Sequence, residues 1–583
     1  MMNIAAQIPP KARRVVELGC LREKAGEAFL RIQPKAEYWG IASTLEELKE
    51  GGKELTHAAC VLPEELDFGK LGIDEADAII IRGEFFRGLT AERLRKWAEV
   101  LSEEGQLILD IPNPGYIRNY LELLSGKKAG GESQGLSAAA VRKLLAAAGL
   151  YTLSAQAIYA TKQDEELRQG QEGEALQKGL QAMLDKMGVK PAPENDPWLQ
   201  SFIFKAGKKP LVQKDKLVIQ AALGEALVTA PKRVNEPNDF IATEPAVIVQ
   251  VIPREHQAFS VPREVTQRIL LRQRLTYTSQ EQAFRVVDAV RKEGYLIVHE
   301  IDDNPRAFKV EGREQLQELS YMATHCIQVS TEPMAEIMRQ YNPHVQVFPN
   351  YLKELPEKRD YGQEMLQRQG EDYVTFFFGA LNRTQEWQEV MPVIREAIEK
   401  HGSRLRFKVL SDHGFYEALP TEHKEYIGDM RMYDGQFVPY PVYTAALHSS
   451  DIAFLPLRDT DFNRAKSDLK FIESAGHGAV VLASPTVYED TVKEGRNGFI
   501  YRNPREFGDY LNLLIENRER RIETAEAAYR YVRDERLLSG HYLERLTWYR
   551  EMLARRPELD KDMMQRLAGW QQRYGAKGEG ARK

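Results

Sequence analysis

The segment 451–484 constrains the fold of this chain more than any other stretch. Two apolar runs with strand character, 451–457 (DIAFLPL) and 478–484 (GAVVLAS), flank a polar loop and a helix-forming stretch that ends at Gly476. Strand, loop, helix, glycine stop and strand form the repeating unit of a parallel sheet, because parallel strands need a long crossover connection. The same alternation recurs along most of the chain. The sequence therefore predicts an α/β fold.

The helix-forming stretch carries an unusual stripe of charged residues. Lys466, Lys470, Glu473 and His477 follow one another at helical spacing, so a helix would place them on one face. Lys466 would then stand near the helix N-terminus, where a positive charge is unfavourable unless an anion is also bound there. Phosphates bind at such helix N-termini in parallel sheets. The alternative is a solvated face with one Lys–Glu pair, worth about 0.2–0.5 kcal/mol.

These residues resemble the donor-binding segment of bacterial group-one retaining glycosyltransferases, which have two facing Rossmann-like domains (the GT-B fold). In that family a glutamate on this helix, in a pattern like E-x-x-x-x-G, holds the ribose of a nucleotide sugar, a role that the resemblance gives to Glu473. Gly476 follows at a closer spacing here, and Ala465 stands where many members carry a second glutamate. A subgroup carries K-S-D-x-K instead, which residues 466–470 (KSDLK) match.

Length and composition limit the other possibilities. A chain of 583 residues is long enough for three or four domains, and a net charge of −6 gives no reason to expect nucleic-acid binding. Three widely spaced cysteines fit neither a disulfide framework nor a metal site. Neither a signal peptide nor a run of about 20 apolar residues is seen. We expect a cytoplasmic protein, and peripheral membrane contact stays open.

Residues 1–209 resemble class I S-adenosylmethionine-dependent methyltransferases. The resemblance rests on a strand that ends in Glu-x-Gly at 14–19, on a strand at 76–81 and on the segment 105–113 (GQLILDIPN). It extends to a closing strand at 198–205, after a polar helical insertion at 163–190. The predicted domain boundary follows at 207–210 (GKKP).

Two features that this family uses to bind its cofactor are missing. Cys20 and further non-glycine residues follow Gly19, so the backbone cannot approach a cofactor closely. Ala42, or Ser43 if the register shifts by one residue, stands where the family places an acid for the ribose hydroxyls. We therefore expect no S-adenosylmethionine cofactor and a structural role for Glu17 and Asp110. Docking to an enzyme partner or homo-oligomerisation is the expected role of this domain.

Residues 211–355 have the pattern of the first, acceptor-binding lobe of the glycosyltransferase. A buried strand at 295–301 leads into Asp302 and Asp303, and ligands gather at the carboxyl ends of parallel strands. Either aspartate could orient or deprotonate an acceptor hydroxyl. The alternatives are an Asx turn or helix cap and, as a third interpretation, a D-x-D-like metal motif. We expect no metal, because the resembled fold works without one.

Residues 356–560 have the pattern of the second, donor-binding lobe, and residues 561–583 are predicted to be a tail. A strand at 373–379 ends in Gly379, and Arg383 follows. The resemblance implies that the glycine turn and the basic residue approach the donor diphosphate, which an arginine fork suits. Residues 437–440 (FVPY) would contact the base. The alternative for Arg383 is a surface loop position.

The resemblance as a whole implies three Rossmann-like domains and a retaining glycosyltransferase that uses a nucleotide-diphosphate sugar. The charge on the departing diphosphate would be neutralised by Arg383, Lys466 and Lys470. The residues that the resemblance makes catalytic are Asp302, Asp303 and Lys470. The acceptor would be a glycan, a lipid-linked glycan or a protein in bacterial surface polysaccharide or glycoprotein synthesis. A bifunctional methyl- and glycosyltransferase and a non-catalytic scaffold for glycan enzymes remain the alternatives.

Overall fold

The computed structural model describes residues 4–52, 55–113, 116, 136–159, 170–188, 198–224, 229–252, 265–305, 313–380, 383–428 and 438–574. The chain divides into two compact units. The first comprises Met1–Leu217, Asp239–Ile248 and Pro262–Thr266, and the second comprises Val218–Asn238, Val249–Val261 and Gln267–Lys583. No helix in the described part of the chain combines the length and the apolar character that crossing a bilayer requires.

The first unit is built on a seven-stranded sheet in the order β3-β2-β1-β4-β5-β7-β6. Its strands are β1 (Arg14–Leu18), β2 (Glu37–Ala42), β3 (His57–Cys60), β4 (Ala76–Ile81), β5 (Leu101–Pro112), β6 (Tyr151–Tyr159) and β7 (Leu199–Gly207). Its helices are α1 (Ala25–Ile32), α2 (Leu45–Gly51), α3 (Gly83–Phe86), α4 (Ala91–Ala98), α5 (Ala138–Ala147) and α6 (Gln171–Lys186). Strands β1 to β5 run parallel, whereas β7 is antiparallel to both β5 and β6.

A buried arginine lies at the carboxyl ends of β1 and β4. Arg82 follows β4 and donates hydrogen bonds to Glu23 at 2.5 Å and to Asp110 at 3.1 Å. Its Nη1 lies 3.7 Å from Glu17, which also accepts a 2.9 Å hydrogen bond from the Tyr38 hydroxyl. Burial raises the pKa of Glu17 to about 7, although the charge of Arg82 opposes the shift. Glu17 and Asp110 thus take part in one internal ion cluster.

Two further six-stranded sheets lie mainly in the second unit, and the first has the order β13-β12-β11-β10-β8-β9. Its neighbouring strands from β10 to β13 are parallel. Its strands are β8 (Leu217–Leu223), β9 (Val247–Ile252), β10 (Gln267–Gln273), β11 (Tyr295–Glu300), β12 (Cys326–Val329) and β13 (Val345–Val347). Helices α7 (Glu236–Ile241), α8 (Gln280–Lys292), α9 (Glu314–Met322) and α10 (Glu332–Arg339) connect them. Helix α10 begins after Thr331, whose hydroxyl accepts a hydrogen bond from the Met334 N–H.

The second sheet has the order β16-β15-β14-β17-β18-β19, and all its neighbouring strands are parallel. Its strands are β14 (Val374–Gly379), β15 (Leu405–Leu410), β16 (Lys424–Ile427), β17 (Ile452–Leu455), β18 (Val480–Ala483) and β19 (Phe499–Ile500). Its helices are α11 (Tyr361–Gln367), α12 (Thr384–His401), α13 (His413–Ala418), α14 (Tyr440–His448), α15 (Asp461–Arg464), α16 (Leu469–Gly476), α17 (Pro504–Glu516) and α18 (Arg518–Glu535). The predicted α/β class with parallel sheets is confirmed.

The last two helices, α19 (Tyr542–Ala554) and α20 (Arg556–Tyr574), return to the first sheet of the second unit. Met563 and Trp570 of α20 pack against the apolar sides of α8 and α9. The predicted tail at 561–583 was therefore wrong as far as Tyr574, because residues 561–574 belong to this packed helix. Residues 575–583 lie outside the described part of the chain.

The raised pKa of Glu17 predicts that the stability of the first unit depends on pH. Because the Glu17 carboxyl holds its proton more tightly in the folded than in the unfolded protein, the folded state loses stability as the pH rises from about 4.5 to about 7. The shift corresponds to at most about 3 kcal/mol. We expect Glu17→Gln to remove this loss between about pH 5 and pH 8, measured as the urea midpoint of the first unit by limited proteolysis. The matched control is Glu64→Gln, at an exposed position. Parallel pH profiles for the wild type and Glu17→Gln would contradict the assignment.

Candidate active site

The carboxyl ends of the two sheets in the second unit border a cleft of about 580 Å³. All seven residues that the sequence predicts as site residues line this cleft. They are Asp302, Asp303, Gly379, Arg383, Lys466, Lys470 and Glu473. Two come from the first sheet and five from the second, so the cleft unites the two predicted groups.

Strand order explains why these side chains converge. In the second sheet β15 and β16 lie on one side of β14, whereas β17 to β19 lie on the other. The connections that follow β14 and β17 therefore leave in opposite directions and open a crevice between them, which is where ligands bind in open parallel sheets. Gly379 ends β14, and the segment that carries Lys466 and Lys470 follows β17. The first sheet contributes Asp302 and Asp303 from just beyond β11.

Glu473 lies on α16 and is almost completely buried, with 2% of its surface exposed. Its Oε1 accepts a 3.1 Å hydrogen bond from the Tyr440 hydroxyl, and its Oε2 accepts a 2.9 Å hydrogen bond from the Tyr443 hydroxyl. Burial and the Glu473 carboxylate both raise the pKa of each tyrosine well above its usual value, so both hydroxyls keep their protons. The two tyrosines fix the carboxylate at the wall of the cleft, and each oxygen retains a second lone pair.

Lys470 is the more exposed cation on the same helix, with 43% of its side chain open. Its Nζ lies 3.7 Å from Glu473 Oε2 and 4.0 Å from the centre of the Tyr443 ring. The carboxylate and the ring face hold the ammonium loosely over the cleft, because neither contact is a short hydrogen bond. Lys470 is thus a positive charge available to a ligand.

Arg383 and Gly379 lie near the N-terminus of helix α12. Arg383 immediately precedes this 18-residue helix, and its Nη1 lies 3.4 Å from Glu386 in the first turn. The helix N-terminus adds a partial positive charge at the same place. Gly379 has a local packing reason to be glycine, since a Cβ there would lie 2.5 Å from the Phe377 ring. Residues 381–382, between these two positions, lie outside the described part of the chain.

Asp302 and Asp303 are held by one arginine that the sequence analysis did not assign to the site. Arg274, just beyond β10, donates from Nε to Asp302 and from Nη2 to Asp303, both at 2.7 Å. Asp303 also accepts from Lys466 Nζ at 3.1 Å. Burial raises the pKa of Asp302, and the charge of Arg274 opposes that shift. The aspartates therefore belong to an ion network that reaches across the cleft to Lys466.

The prediction that four residues share one helical face was wrong in two places. Helix α16 begins at Leu469, so Lys466 projects from the preceding loop rather than from the helix. His477 stands at the other end, where its Nδ1 lies 2.7 Å from the Glu473 carbonyl oxygen, and it does not line the cleft. Asp468 is the residue immediately before the helix, and Arg536 holds its carboxylate with two hydrogen bonds of 2.7 and 2.8 Å.

The loop before α16 is anchored on the first sheet. The Ser467 hydroxyl accepts a 2.8 Å hydrogen bond from Asn350, and the Ala465 carbonyl accepts one of 2.9 Å from the Thr331 hydroxyl. The Ala465 side chain is buried among apolar residues of the first sheet and of α10, including Ile301. This packing gives a physical reason for the departure from the paired-glutamate pattern, because a glutamate at 465 would bury its charge there.

Two further cleft residues escaped the sequence analysis. Lys232 and Glu236 are joined by a 2.8 Å ion pair, and the Lys232 ammonium lies 4.8 Å from the centre of the Tyr440 ring on the opposite wall. The i,i+4 spacing of this Lys–Glu pair was a usable helical signal. Tyr440 belongs to the segment 437–440, which the sequence analysis expected to contact the nucleotide base. Phe437, at the other end of this segment, lies outside the described residues.

No group of three or more His, Cys, Asp or Glu side chains that could hold a metal ion occurs in the described part of the chain.

A sequence model of the family described as "Glycosyl transferase-like" matches residues 387–546. The matched segment runs from within α12 to within α19, so it contains Lys466, Lys470 and Glu473. Residues 387–546 thus have the sequence character of a glycosyl-transfer enzyme. No curated protein matches the chain.

Several solved structures are similar to parts of this chain. HepE (Alr3699) of Anabaena, in complex with UDP-glucose, is 12% identical with a TM-score of 0.39, covering 57% of this chain and 99% of its own. Sucrose-phosphate synthase of Thermosynechococcus elongatus is 10% identical with a TM-score of 0.41, covering 58% and 100%. A TarM mutant of S. aureus, in complex with UDP and other ligands, is 12% identical with a TM-score of 0.35, covering 49% and 55%.

The environment of Ala465 predicts that the missing glutamate cannot be restored. We expect Ala465→Glu to lower the free energy of unfolding of the second unit by about 3 kcal/mol, because the new carboxylate is buried without a partner. Ala568→Glu, at an exposed position of α20, should change it by less than about 0.5 kcal/mol. Urea unfolding monitored by tryptophan fluorescence measures both values. Equal stability of the two variants would show that position 465 is not buried in solution.

Proposed function

We propose that this protein is a retaining glycosyltransferase that moves a sugar from a nucleotide-diphosphate sugar to an acceptor hydroxyl. The acceptor would be a glycan, a lipid-linked glycan or a protein in bacterial surface polysaccharide or glycoprotein synthesis. Retention of configuration, the acceptor class and the pathway come from the family resemblance of the sequence. The observation that carries the proposal is the convergence of all seven predicted residues on one cleft between two parallel sheets.

The donor would bind along the second sheet. Lys470 and Arg383 supply positive charge beside the N-terminus of α12, and a diphosphate leaving group develops negative charge as the glycosidic bond breaks. Fixed charges at such a place stabilise the transition state without reorganising at the moment of reaction. Glu473, positioned by Tyr440 and Tyr443, would accept hydrogen bonds from the ribose hydroxyls. Lys466 would aid phosphate binding only after leaving Asp303.

The acceptor would bind near the first sheet. The Arg274 fork orients the carboxylates of Asp302 and Asp303, and the raised pKa of Asp302 moves it towards the range of a useful general base. A carboxylate at this position could hold the acceptor hydroxyl and receive its proton. The anchored segment around Ser467 would keep the donor wall and the acceptor wall at a fixed distance.

For the first unit we propose a methyltransferase-like fold without methyl transfer. Its strand order, with one antiparallel strand inserted next to β5, agrees with the resemblance of its sequence. The carboxyl ends of β1 and β4 are where an open sheet binds ligands, and there Arg82 is buried among three carboxylates. A docking or dimerisation role fits this arrangement better than a bifunctional enzyme does.

A non-catalytic scaffold is the rival from another class. It is favoured by one observation, the engagement of Lys466 by Asp303, which ties up two of the predicted functional groups. Detectable hydrolysis of any nucleotide sugar separates the enzyme from the scaffold. Thermal-shift screening of UDP-, GDP- and dTDP-sugars identifies the donor to use in that assay.

Removal of the Lys470 charge should impair catalysis without unfolding the protein. We expect Lys470→Met to lower the rate of nucleoside diphosphate release about a hundred- to a thousandfold, as loss of one preorganised donor typically does. Glu473→Gln should mainly weaken donor binding, because it removes the charge but preserves the shape of the side chain. A coupled assay for the released nucleoside diphosphate measures both variants with the donor found in the screen.

The matched control is Lys400→Met, at the end of α12 that lies away from the cleft, where the lysine pairs with exposed Glu516. Its activity should stay within about twofold of the wild type, since surface ion pairs contribute little. Near-normal turnover by Lys470→Met, with an unchanged melting temperature, would refute the assigned role.

The first unit should not bind S-adenosylmethionine with micromolar affinity. The reason is the buried Arg82 cluster together with the lack of glycines after Gly19. Equilibrium dialysis of the full chain with labelled S-adenosylmethionine measures this directly. Saturable binding with a micromolar Kd would overturn the non-catalytic assignment and favour the bifunctional alternative.

A further inference from the structure

Three buried polar side chains form a cluster on the first sheet of the second unit, apart from the cleft. They are Arg272 on β10, Tyr277 in the connection that follows β10, and His299 on β11. Arg272 and His299 are paired in register on neighbouring strands, so their side chains lie on the same face of the sheet. The Arg272 guanidinium carbon is 3.8 Å from the centre of the Tyr277 ring.

Four buried polar atoms of this cluster have no hydrogen-bond partner among the described residues. Arg272 Nη1, the Tyr277 hydroxyl and both ring nitrogens of His299 are buried and unbonded. The three residues are only 6%, 4% and 1% exposed. Buried polar groups are hydrogen-bonded in the great majority of cases, so four such atoms in one cluster require an explanation.

The electrostatics of the cluster also indicate that the charge of Arg272 lacks a counter-ion among the described residues. Burial lowers the pKa of Arg272, and the one charge that opposes this effect comes from Tyr277 rather than from a carboxylate. Burial, reinforced by the charge of Arg272, lowers the pKa of His299 to about 3, so the ring is neutral and offers one N–H donor. A guanidinium remains charged in proteins, and a buried charge without a counter-ion is strongly destabilising.

We propose that Arg272, Tyr277 and His299 bind a small oxyanion such as phosphate. An arginine fork, a hydroxyl and an imidazole N–H are the donors that an oxyanion requires, and a bound anion would neutralise the buried guanidinium. The cluster includes the next-to-last residues of two adjacent parallel strands, close to the edge where ligands gather in such sheets. This site goes beyond the proposed glycosyl transfer and does not depend on it.

Thermodynamic linkage between phosphate and stability tests the proposal. In a phosphate-free buffer Arg272→Met should melt at a higher temperature than the wild type, because an apolar side chain replaces an uncompensated buried charge. Added phosphate should raise the melting temperature of the wild type in a saturable way and should narrow or reverse the difference. Phosphate bound in the cleft stabilises both proteins equally, so the difference between them reports on this cluster alone.

Two further variants keep the test decisive if Arg272→Met does not fold. Tyr277→Phe removes one hydroxyl and should raise the phosphate concentration for half-maximal stabilisation about tenfold, as expected for one charge-assisted hydrogen bond. The control variant is Arg268→Gln. Arg268 lies on the same strand, but it already forms a hydrogen bond and an ion pair with Glu293, so its replacement should leave that concentration unchanged.

Anion identity is tested with sulfate and chloride at matched ionic strength. Sulfate should reproduce the phosphate effect, whereas an equal effect of chloride would overturn the oxyanion assignment. Crystals soaked in selenate should show an anomalous peak within hydrogen-bonding distance of Arg272. A phosphate shift of the same size in the wild type and in Tyr277→Phe, or a selenate peak confined to the cleft, would overturn the proposal.

Discussion

The arrangement of the candidate site is tied to the clamp that Arg536 forms on Asp468. Arg536 follows α18, and it binds both oxygens of Asp468 while donating a third hydrogen bond to the Asn350 carbonyl. A bidentate arginine–carboxylate pair fixes direction as well as distance. The clamp joins the loop before α16 to the end of the first sheet, and Asp468 is the residue that immediately precedes the helix. The positions of Lys470 and Glu473 in the cleft follow from that starting point.

The same loop explains how the cations divide into two groups. Lys466 lies on the anchored side and faces Asp303, so in this structure its charge is neutralised by that carboxylate. Lys470 lies four residues later, on the helix, where among the described residues its ammonium contacts Glu473 and the face of the Tyr443 ring. Two lysines from one short motif thus have different functions: one joins the two walls and the other offers its charge to a ligand. Movement of Lys466 between Asp303 and a phosphate would link donor binding to release of the acceptor carboxylate.

The sequence was sufficient for elements whose signals are local. The apolar runs before Asp302 and Gly379 predicted buried parallel strands, and the residues at their ends therefore line one cleft. Partners that are distant in the chain could not be predicted, because no local pattern reports them. Arg536 lies 68 residues from Asp468, and Lys466 lies 163 residues from Asp303. Because Lys466 lies in the loop before α16, the helical spacing that joined Lys466 to Lys470 was a misleading guide.

Two buried arginines, Arg233 in the helical segment 231–235 and Arg272 on β10, differ in how their charges are paired. Arg233 is bonded to Glu300 at 2.7 Å and to Asn350 at 2.9 Å, so its charge and hydrogen bonds are compensated within the protein. Arg272 lies beside His299, on the neighbouring strand position, and has no such partner in the described residues. Both experience the same low-dielectric surroundings, which make a paired charge tolerable and an unpaired one costly. The difference assigns a structural role to Arg233, whereas Arg272 retains the unsatisfied charge that a ligand would need.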